Sequence, residues 1–160
     1  MTGPADNIAV RPAVVGDCAA VASLVDALRC LLGDPTGHLT PEAIARDGFG
    51  PDAQFRVIVA EAGSELIGYA LYTDAYEPAY AARGVYLADL FVRESERRRG
   101  IGRALVDAIS ADATARGHTF VWWVAQQANT AALDFYRKLE PDFRNSVVAH
   151  ALVLDRSDRR

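Results

Sequence analysis

The chain has 160 residues and a formal net charge of −4, because 21 aspartates and glutamates outnumber 17 lysines and arginines. Its hydrophobic fraction of 51% and charged fraction of 24% are ordinary for a soluble folded protein and argue against general disorder. The length predicts a single domain over residues 1–160, the acidic balance disfavours nucleic acid as a partner, and no segment has the roughly 20 apolar residues that a membrane span needs.

The N-terminal part of the chain begins with MTGPADNIAV, which lacks the basic region and the apolar run of a signal peptide, so a cytoplasmic location is expected. Residues 18–32 carry apolar side chains at helical spacing and predict a helix, with Asp17 as its N-cap and Gly33 at its end. The two cysteines, at positions 18 and 30, make neither a disulfide framework nor a metal cluster, so we expect no metal.

The whole chain alternates between strand-like and helix-like segments. In chain order the predicted elements are a strand at 7–11, helices at 18–32 and 41–46, strands at 54–60, 65–72 and 85–92, a helix at 100–116, a strand at 120–124, a helix at 129–139 and a strand at 147–154. The polar segment 73–84 is interpreted as a connection, and Thr40 before Pro41 as the start of the short second helix. Hairpins followed by a strand–helix–strand unit predict an α/β fold, in which helices flank a mixed, mostly antiparallel sheet.

The segment 88–104, ADLFVRESERRRGIGRA, concentrates positive charge in an otherwise acidic chain. Its five arginines are Arg93, Arg97, Arg98, Arg99 and Arg103. A glycine-bearing turn between a strand and a helix commonly binds pyrophosphate, because the first helical N–H groups are unpaired and carry the positive end of the helix dipole. The spacing is neither that of a P-loop nor that of the dinucleotide fingerprint. An anion site, a merely solvated basic helix start and a contact with nucleic-acid phosphate are all open on this evidence.

Two motifs in this order are similar to those of a known enzyme family. The pattern R-x-x-G-x-G at 97–102, after the strand 87–92, resembles the acyl-CoA pyrophosphate signature of the GNAT superfamily of N-acetyltransferases. The segments WWV at 122–124 and NTAALDFYRKL at 129–139 resemble a second motif of that superfamily. Several shorter segments resemble its diamine and thialysine acetyltransferase branch: LTPE at 39–42, DGFG at 47–50, GYALY at 68–72, YEP at 76–78 and YLADLFV at 86–92.

The resemblance implies a GNAT-like fold and acetyl-CoA as cosubstrate. It implies that the backbone of Leu90, Phe91 and Val92 binds the pantetheine arm as an added strand, and that a backbone N–H near Leu90 or Phe91 holds the thioester oxygen. It implies a second contact with pantetheine from Asn129. The residues implied to bind the pyrophosphate are Arg97, Arg98, Arg99, Gly100, Ile101, Gly102 and Arg103.

The catalytic roles are also implied by the resemblance. Tyr136 would protonate the departing thiolate, since a phenol of pKa about 10 is protonated at neutral pH; a core aromatic is the alternative. The branch usually has Glu-Asp in the fourth predicted strand, with the Glu as the proposed base, but this chain has Ala88 before Asp89. Asp89 would then bind the amine or relay its proton, or it is simply an aspartate paired with an arginine. Glu77 is a second candidate for binding the amine, with a surface loop position as its alternative.

The segment after the predicted helix at 129–139 departs from the pattern of the resembled family. The family usually continues Leu-Gly-Ala after the helix that carries the tyrosine, whereas this chain has Leu139-Glu140-Pro141. The helix is therefore expected to end differently, at a stop set by Pro141.

The three histidines are scattered and are expected to be structural or exposed. His150, on the predicted last strand, is the one to inspect.

The sequence thus predicts an acetyl-CoA-dependent N-acetyltransferase that acts on a primary amine of a polyamine-, diamine- or lysine-like small molecule. One alternative is transfer to a peptide or protein amine. Another is a non-catalytic acyl-CoA sensor, suggested by Ala88 in place of the usual acid. A homodimer is expected because relatives of the resembled family often pair, and neither nucleic acid nor a membrane is expected as a partner.

Overall fold

The computed structural model describes residues 7–154, which contain five strands and four α-helices. In chain order they are β1 (Ile8–Pro12), α1 (Cys18–Leu32), α2 (Pro41–Gly48), β2 (Arg56–Ala62), β3 (Glu65–Glu77), β4 (Ala82–Val92), α3 (Ile101–Ala115), β5 (Phe120–Trp123) and α4 (Thr130–Arg137). Two compact units divide the chain, one ending at Val124 and the other beginning at Ala125. All five strands belong to the first unit and α4 belongs to the second. The expectation of one domain stays a prediction.

The sheet of the first unit has the strand order β1-β2-β3-β4-β5. The first four strands pair antiparallel, and β4 pairs with β5 in parallel through the crossover helix α3. A parallel pair requires such a crossover, whereas antiparallel neighbours are joined by hairpins. The predicted α/β fold with a mixed, mostly antiparallel sheet and flanking helices is therefore confirmed.

Helices cover both faces of the sheet. Val57 and Val59 of β2 belong to one core cluster with the buried residues of α1 and α2. Ile58 and Ala60 alternate with them, are also buried, and lie on the opposite face, where α3 contacts β2 and β3. The near-continuous apolar run of β2 is thus explained by burial on both of its faces.

The helix boundaries follow from local signals. Gly33 ends α1 in the left-handed conformation at φ 74°, and the Thr40 side chain accepts a hydrogen bond from the Ala43 N–H at 3.2 Å to start α2. Asp17 occupies the N-cap position of α1 but makes no cap bond. Its carboxylate instead accepts hydrogen bonds from the Val14 N–H and from Arg11 at 2.8 and 2.7 Å, so the predicted N-cap position is confirmed but the side chain does not cap α1.

The predicted connection at 73–84 is wrong. The strand β3 continues to Glu77 and β4 begins at Ala82, so the two form a long hairpin whose last pair is Glu77 with Ala82. Side chains in the second half of β3 alternate between exposed and half-buried, which is why this part is polar although it is extended. Ladder hydrogen bonds stabilise the arm where burial does not.

The predicted strand at 147–154 is also wrong, because residues 141–154 carry no helix or strand assignment. The segment has apolar and β-branched residues, but Val148 and Leu154 are 80% and 93% exposed. Strand propensity reflects packing and pairing with neighbours, and neither is supplied here. His150 therefore lies in an irregular segment.

The helix α4 ends without a glycine, as the sequence predicts. Its last helical residue is Arg137, and Glu140 adopts a left-handed φ of 54° immediately before Pro141. Glu140 thus takes a conformation that glycine normally supplies at a helix end.

Candidate active site

The strand β4 contains a β-bulge at Ala88. Leu71 of β3 pairs with Asp89, and the next residue of β3, Tyr72, pairs with Leu87, so Ala88 is the extra residue. Its side chain is exposed. Bulges bend a strand and re-aim the residues that follow, and they are frequent beside active sites.

Beyond the bulge, one edge of β4 is open. The parallel ladder to β5 ends at the pair Leu87 and Trp123, so within residues 7–154 the part of β4 after Ala88 pairs with β3 alone. The Arg93 N–H donates to the Ile67 carbonyl of β3 at 2.9 Å. Hydrogen-bonding directions alternate along an antiparallel strand, so the N–H and C=O of Leu90 and Val92 point away from β3. Of the two predicted donors, the geometry therefore favours Leu90 over Phe91.

The turn before α3 exposes backbone donors. Arg98 and Gly100 both have left-handed φ angles, of 61° and 75°, and Gly100 is the N-cap residue of α3. Left-handed residues next to right-handed ones gather successive N–H groups into an anion-binding concavity. Ile101 is buried and anchors the turn through its side chain, so only its backbone is available to a ligand. Gly102 and Arg103 complete the first helical turn.

The five arginines of this segment have different environments. Arg97 donates to the Val92 carbonyl at 3.1 Å and lies over the Phe91 ring at 5.9 Å. Arg93 donates to the Leu66 carbonyl at 3.2 Å and so ties the end of β4 to the start of β3. The remaining three are exposed: Arg98, Arg99, which pairs with Glu96, and Arg103, which pairs with Asp107 at 3.0 Å.

Asp89 is held between an arginine and a tyrosine. Its carboxylate accepts hydrogen bonds from Arg29 of α1 and, at 3.0 Å, from the Tyr69 hydroxyl, and its side chain is only 14% exposed. Burial raises the pKa of Tyr69 above its ordinary value, and the Asp89 charge raises it further, so the hydroxyl remains a donor. The arginine-paired alternative for Asp89 is thus the arrangement that is present.

Burial lowers the pKa of the Arg29 guanidinium, but the hydrogen bond and charge of Asp89 outweigh that effect and the pKa lies above its ordinary value. Sequence reasoning missed Arg29, which is 60 residues from Asp89. The signal in the sequence was the helical spacing of Arg29, which lies four residues after the buried Val25 and therefore on the side of α1 that faces the sheet.

A cavity of about 220 Å³ lies beside this pair. Its lining residues are Val25, Asp26, Arg29, Pro35, His38, Leu39 and Asp89. Arg29 also donates to Asp34 at 3.2 Å, and Asp26 accepts a hydrogen bond from the Gly37 N–H at 2.8 Å. The cavity is smaller than a typical drug-sized site, so it suits a small ligand, and it presents both signs of charge.

Glu77 and Asp89 are not brought together. Glu77 is six residues farther along β3 than Leu71, the partner of Asp89, which corresponds to roughly 20 Å along the strand. The Glu77 carboxylate accepts a hydrogen bond from the Ala79 N–H at 3.0 Å and so stabilises its own turn. Its predicted role in binding the amine stays a prediction.

The second unit carries Asn129 and Tyr136 on one helix. The Asn129 side chain caps α4 by accepting a hydrogen bond from the Ala132 N–H at 3.1 Å. Tyr136 is half-buried, and its ring meets the Phe135 ring edge-on, with centroids 5.3 Å apart. The cap role of Asn129 is thus present, while its predicted contact with pantetheine and the acid role of Tyr136 stay predictions.

Within residues 7–154, no helix is both long enough and apolar enough to cross a membrane.

The histidines His38 and His118 both lie in the first unit. His38 lines the cavity, and the Nδ1 of His118 donates to the Gly84 carbonyl at 2.7 Å, which makes His118 a structural residue.

Comparisons with known proteins agree with this arrangement. The profile of the acetyltransferase (GNAT) family matches residues 22–140. The chain is 29% identical to the thialysine N-epsilon-acetyltransferase of Sus scrofa over 143 residues, which is 83% of each chain. It is 33% identical to the L-ornithine N5-acetyltransferase NATA1 of Arabidopsis thaliana over 94 residues, 59% of this chain and 38% of that one.

A solved structure shares the fold at low identity. The aminoglycoside N-acetyltransferase AAC(6')-Iy in complex with CoA superposes with a TM-score of 0.75 at 19% identity, covering 91% of this chain and 95% of that one. Identity at this level supports the fold alone.

Proposed function

The chain belongs to the GNAT acetyltransferase family and is an N-acetyltransferase, and from this premise we propose that it transfers the acetyl group of acetyl-CoA to a primary amine of a polyamine-, diamine- or lysine-like small molecule. The observation that carries the proposal is the open edge of β4 after the Ala88 bulge, followed directly by the left-handed turn at the start of α3. An edge that offers peptide groups, followed by a turn that offers N–H groups, suits a ligand with amides at one end and a pyrophosphate at the other.

The residues present fit acetyl-CoA. The N–H and C=O of Leu90 and the N–H of Val92 face the open edge, where the amides of a pantetheine arm would pair as an added strand. The Val92 C=O already accepts a hydrogen bond from Arg97. The N–H groups of Gly100, Ile101, Gly102 and Arg103 and the side chains of the exposed arginines would hold the pyrophosphate. When bound, acetyl-CoA supplies an activated thioester.

Residues of the chain would provide three further functions. The Leu90 N–H would donate to the thioester oxygen and so stabilise negative charge that develops there. Tyr136 would give its hydroxyl proton to the leaving sulfur, and Asn129 would contact the pantetheine arm. An alkyl ammonium has a pKa near 10, so the amine must lose a proton before attack, and Asp89 would bind it or relay that proton through water.

The cavity beside Asp89 supports a small cationic acceptor. The carboxylates of Asp26 and Asp89 line it together with Arg29, and Asp34 pairs with the same arginine, so negative charge predominates. The two relatives named above are called acetyltransferases of thialysine and of L-ornithine, which are amino acids with a second amine. The lysine-like members of the proposed class are therefore favoured.

The test is mass spectrometry of acetyl-CoA incubated with the protein and an amine panel. The panel contains diamines, polyamines, lysine, thialysine, ornithine, amino sugars and short peptides. We expect protein-dependent acetylation of the diamine- or lysine-like members. Tyr136→Phe serves as the matched variant, and it should lose most of the turnover while still binding acetyl-CoA, since a phenyl ring cannot donate a proton.

Other outcomes would contradict the proposal in separate ways. Acetylation of peptides alone would point to a protein acceptor. Binding of acetyl-CoA without any product would favour the sensor alternative, and failure to bind acetyl-CoA would remove the interpretation of the open edge. A homodimer and a cytoplasmic location stay predictions, which analytical ultracentrifugation and cell fractionation would check.

A further inference from the structure

We propose that Arg29 makes this enzyme select acceptors that carry a carboxylate next to an amine, that is, lysine- or ornithine-like amino acids, over diamines of the same length. The inference rests on the proposed function and deepens it by naming the acceptor class. It begins from the position of Arg29, which projects from α1 to the Asp89 carboxylate of β4 and lines the cavity.

The Arg29 side chain is accessible from the cavity. It is 27% exposed, although it makes two ion pairs. Its Nη1 donates to Asp34 at 3.2 Å and its Nη2 donates to Asp89. A guanidinium carries five N–H donors in a planar fork that matches the two oxygens of a carboxylate. An arginine at the wall of a small cavity is therefore suited to bind a carboxylate ligand.

The charges around Arg29 complement the head group of an amino acid. The cavity places one cation, Arg29, beside the acidic residues Asp26 and Asp89, with Asp34 also paired to the same arginine. An α-amino acid bears a carboxylate and an ammonium on one carbon, so each sign finds an opposite partner within a small volume. The end of a diamine pairs with the carboxylates but offers no opposite charge to the Arg29 guanidinium.

The bulge of β4 adds no charge beside Asp89. Its residue, Ala88, has an exposed and uncharged side chain. The Asp89 charge is paired with Arg29. No second acid therefore adjoins Asp89 in β4 to hold a doubly positive acceptor.

The cavity is also close to the proposed acetyl site. Asp89 directly precedes Leu90, whose N–H faces the open edge of β4. An acceptor whose head group binds beside Asp89 could therefore direct its distal amine to the segment that would hold the thioester. This chain adjacency connects the specificity of Arg29 to the transfer reaction.

The experiment compares two pairs of acceptors that differ only by the α-carboxylate, L-lysine with cadaverine and L-ornithine with putrescine. For the wild type, kcat/KM should be at least tenfold higher for each amino acid than for its diamine. Arg29→Gln should lower this ratio at least tenfold, mainly by raising KM for the amino acid. Arg29→Lys, which keeps the charge but not the planar fork, should retain part of the preference.

The design separates specificity from folding. The ratio of two acceptors measured on one sample does not depend on the active fraction, so partial unfolding of Arg29→Gln leaves it interpretable. Arg46→Gln is the matched control, because Arg46 is 73% exposed, pairs with the adjacent Asp47 and does not line the cavity. The Arg46→Gln variant should leave kcat/KM for the amino acid, kcat/KM for its diamine and the ratio of the two unchanged.

Three other results would contradict either the role of Arg29 or the proposed function. Equal losses for both acceptors in Arg29→Gln would show that Arg29 only supports Asp89, and a wild-type preference for diamines would overturn the carboxylate selection outright. In both cases acetyl transfer to small amines would stand. Failure to acetylate any of the four amines would instead contradict the proposed function, and this inference with it.

Discussion

Residues 84–87 of β4 pair with β3 on one edge and with β5 on the other, whereas residues 89–92, after the bulge residue Ala88, pair with β3 alone within the described chain. Both parts belong to the same strand but differ in what their peptide groups can do. In the doubly paired half every N–H and C=O is directed to a neighbouring strand, so the half acts as scaffold. In the singly paired half, the backbone N–H groups of Leu90 and Val92 point to an open edge. The bulge at Ala88 marks the division, so one strand both belongs to the core and presents an open edge.

The same contrast holds for the side chains. In the doubly paired half, Val85 and Leu87 are buried, and Gly84 lies opposite Phe120 of β5. In the singly paired half, Asp89 reaches the cavity, and Phe91 is the one buried residue. Substitutions in the first half should therefore affect folding, and those in the second half should affect turnover.

The largest effect is expected at the open edge, from Leu90→Pro. Proline removes the N–H that is proposed to hold the thioester oxygen, and it is tolerated where a strand edge is unpaired. We expect kcat/KM to fall by about 10²- to 10³-fold, as for loss of one oxyanion donor, with only a small change in the unfolding temperature. Steady-state release of free thiol from acetyl-CoA measures it.

The control for that variant is Leu90→Ala, which keeps the N–H and shortens the side chain. It should retain most of the activity. Equal activity of Leu90→Pro and Leu90→Ala would mean that the Leu90 N–H holds nothing during the reaction.

A smaller effect is expected in the doubly paired half, from Gly84→Ala. A Cβ at this position would lie 2.5 Å from three atoms of the Phe120 ring, so either this ring or β5 must shift away from β4. Overpacking of this kind costs about 1–3 kcal/mol of unfolding free energy, which corresponds to a fall of roughly 2–12 °C in Tm for a chain of this size. Urea and thermal unfolding measure it.

The matched substitution is Gly16→Ala, where a Cβ would meet no heavy atom within 4 Å. Its unfolding free energy should stay close to that of the wild type. If Gly84→Ala were as stable as this control, Phe120 would be free to move and the rigid pairing of this half would be refuted.

The smallest effect is expected at the division itself, from Ala88→Glu. The side chain is exposed, so stability should change by no more than about 0.5 kcal/mol. An added negative charge next to Asp89 should raise kcat/KM for cadaverine by about two- to fivefold, and salt should weaken the gain. The uncharged Ala88→Gln should show no gain; an equal gain from both variants would exclude a charge effect.

Some of this molecule could be predicted from the sequence because the signals are local. The spacing of apolar residues predicted α1 over residues 18–32, which are its bounds in the structure, and Thr40 with Pro41 marked the start of α2. The glycines and arginines at 97–102 predicted a turn before a helix, and that turn is present with two left-handed residues. Each signal acts within a few residues, so the sequence pattern is sufficient to detect it.

The errors share a different cause. The arm of β3 and β4 beyond residue 72 is polar, and the segment 147–154 is apolar, yet the first is a strand and the second is not. Whether an extended segment becomes a strand depends on a partner ladder, which composition does not reveal.

The sequence by itself therefore determined the α/β class, most helices and strands, and the glycine-bearing turn before α3, because caps, periodicity and turn residues act locally. Only the tertiary structure decided where β5 stops, which leaves Leu90 at an open edge. It alone decided that Arg29 pairs with Asp89 across 60 residues and that both line one cavity. Strand pairing and charge pairing join distant parts of the chain, so their outcome depends on how the whole unit packs.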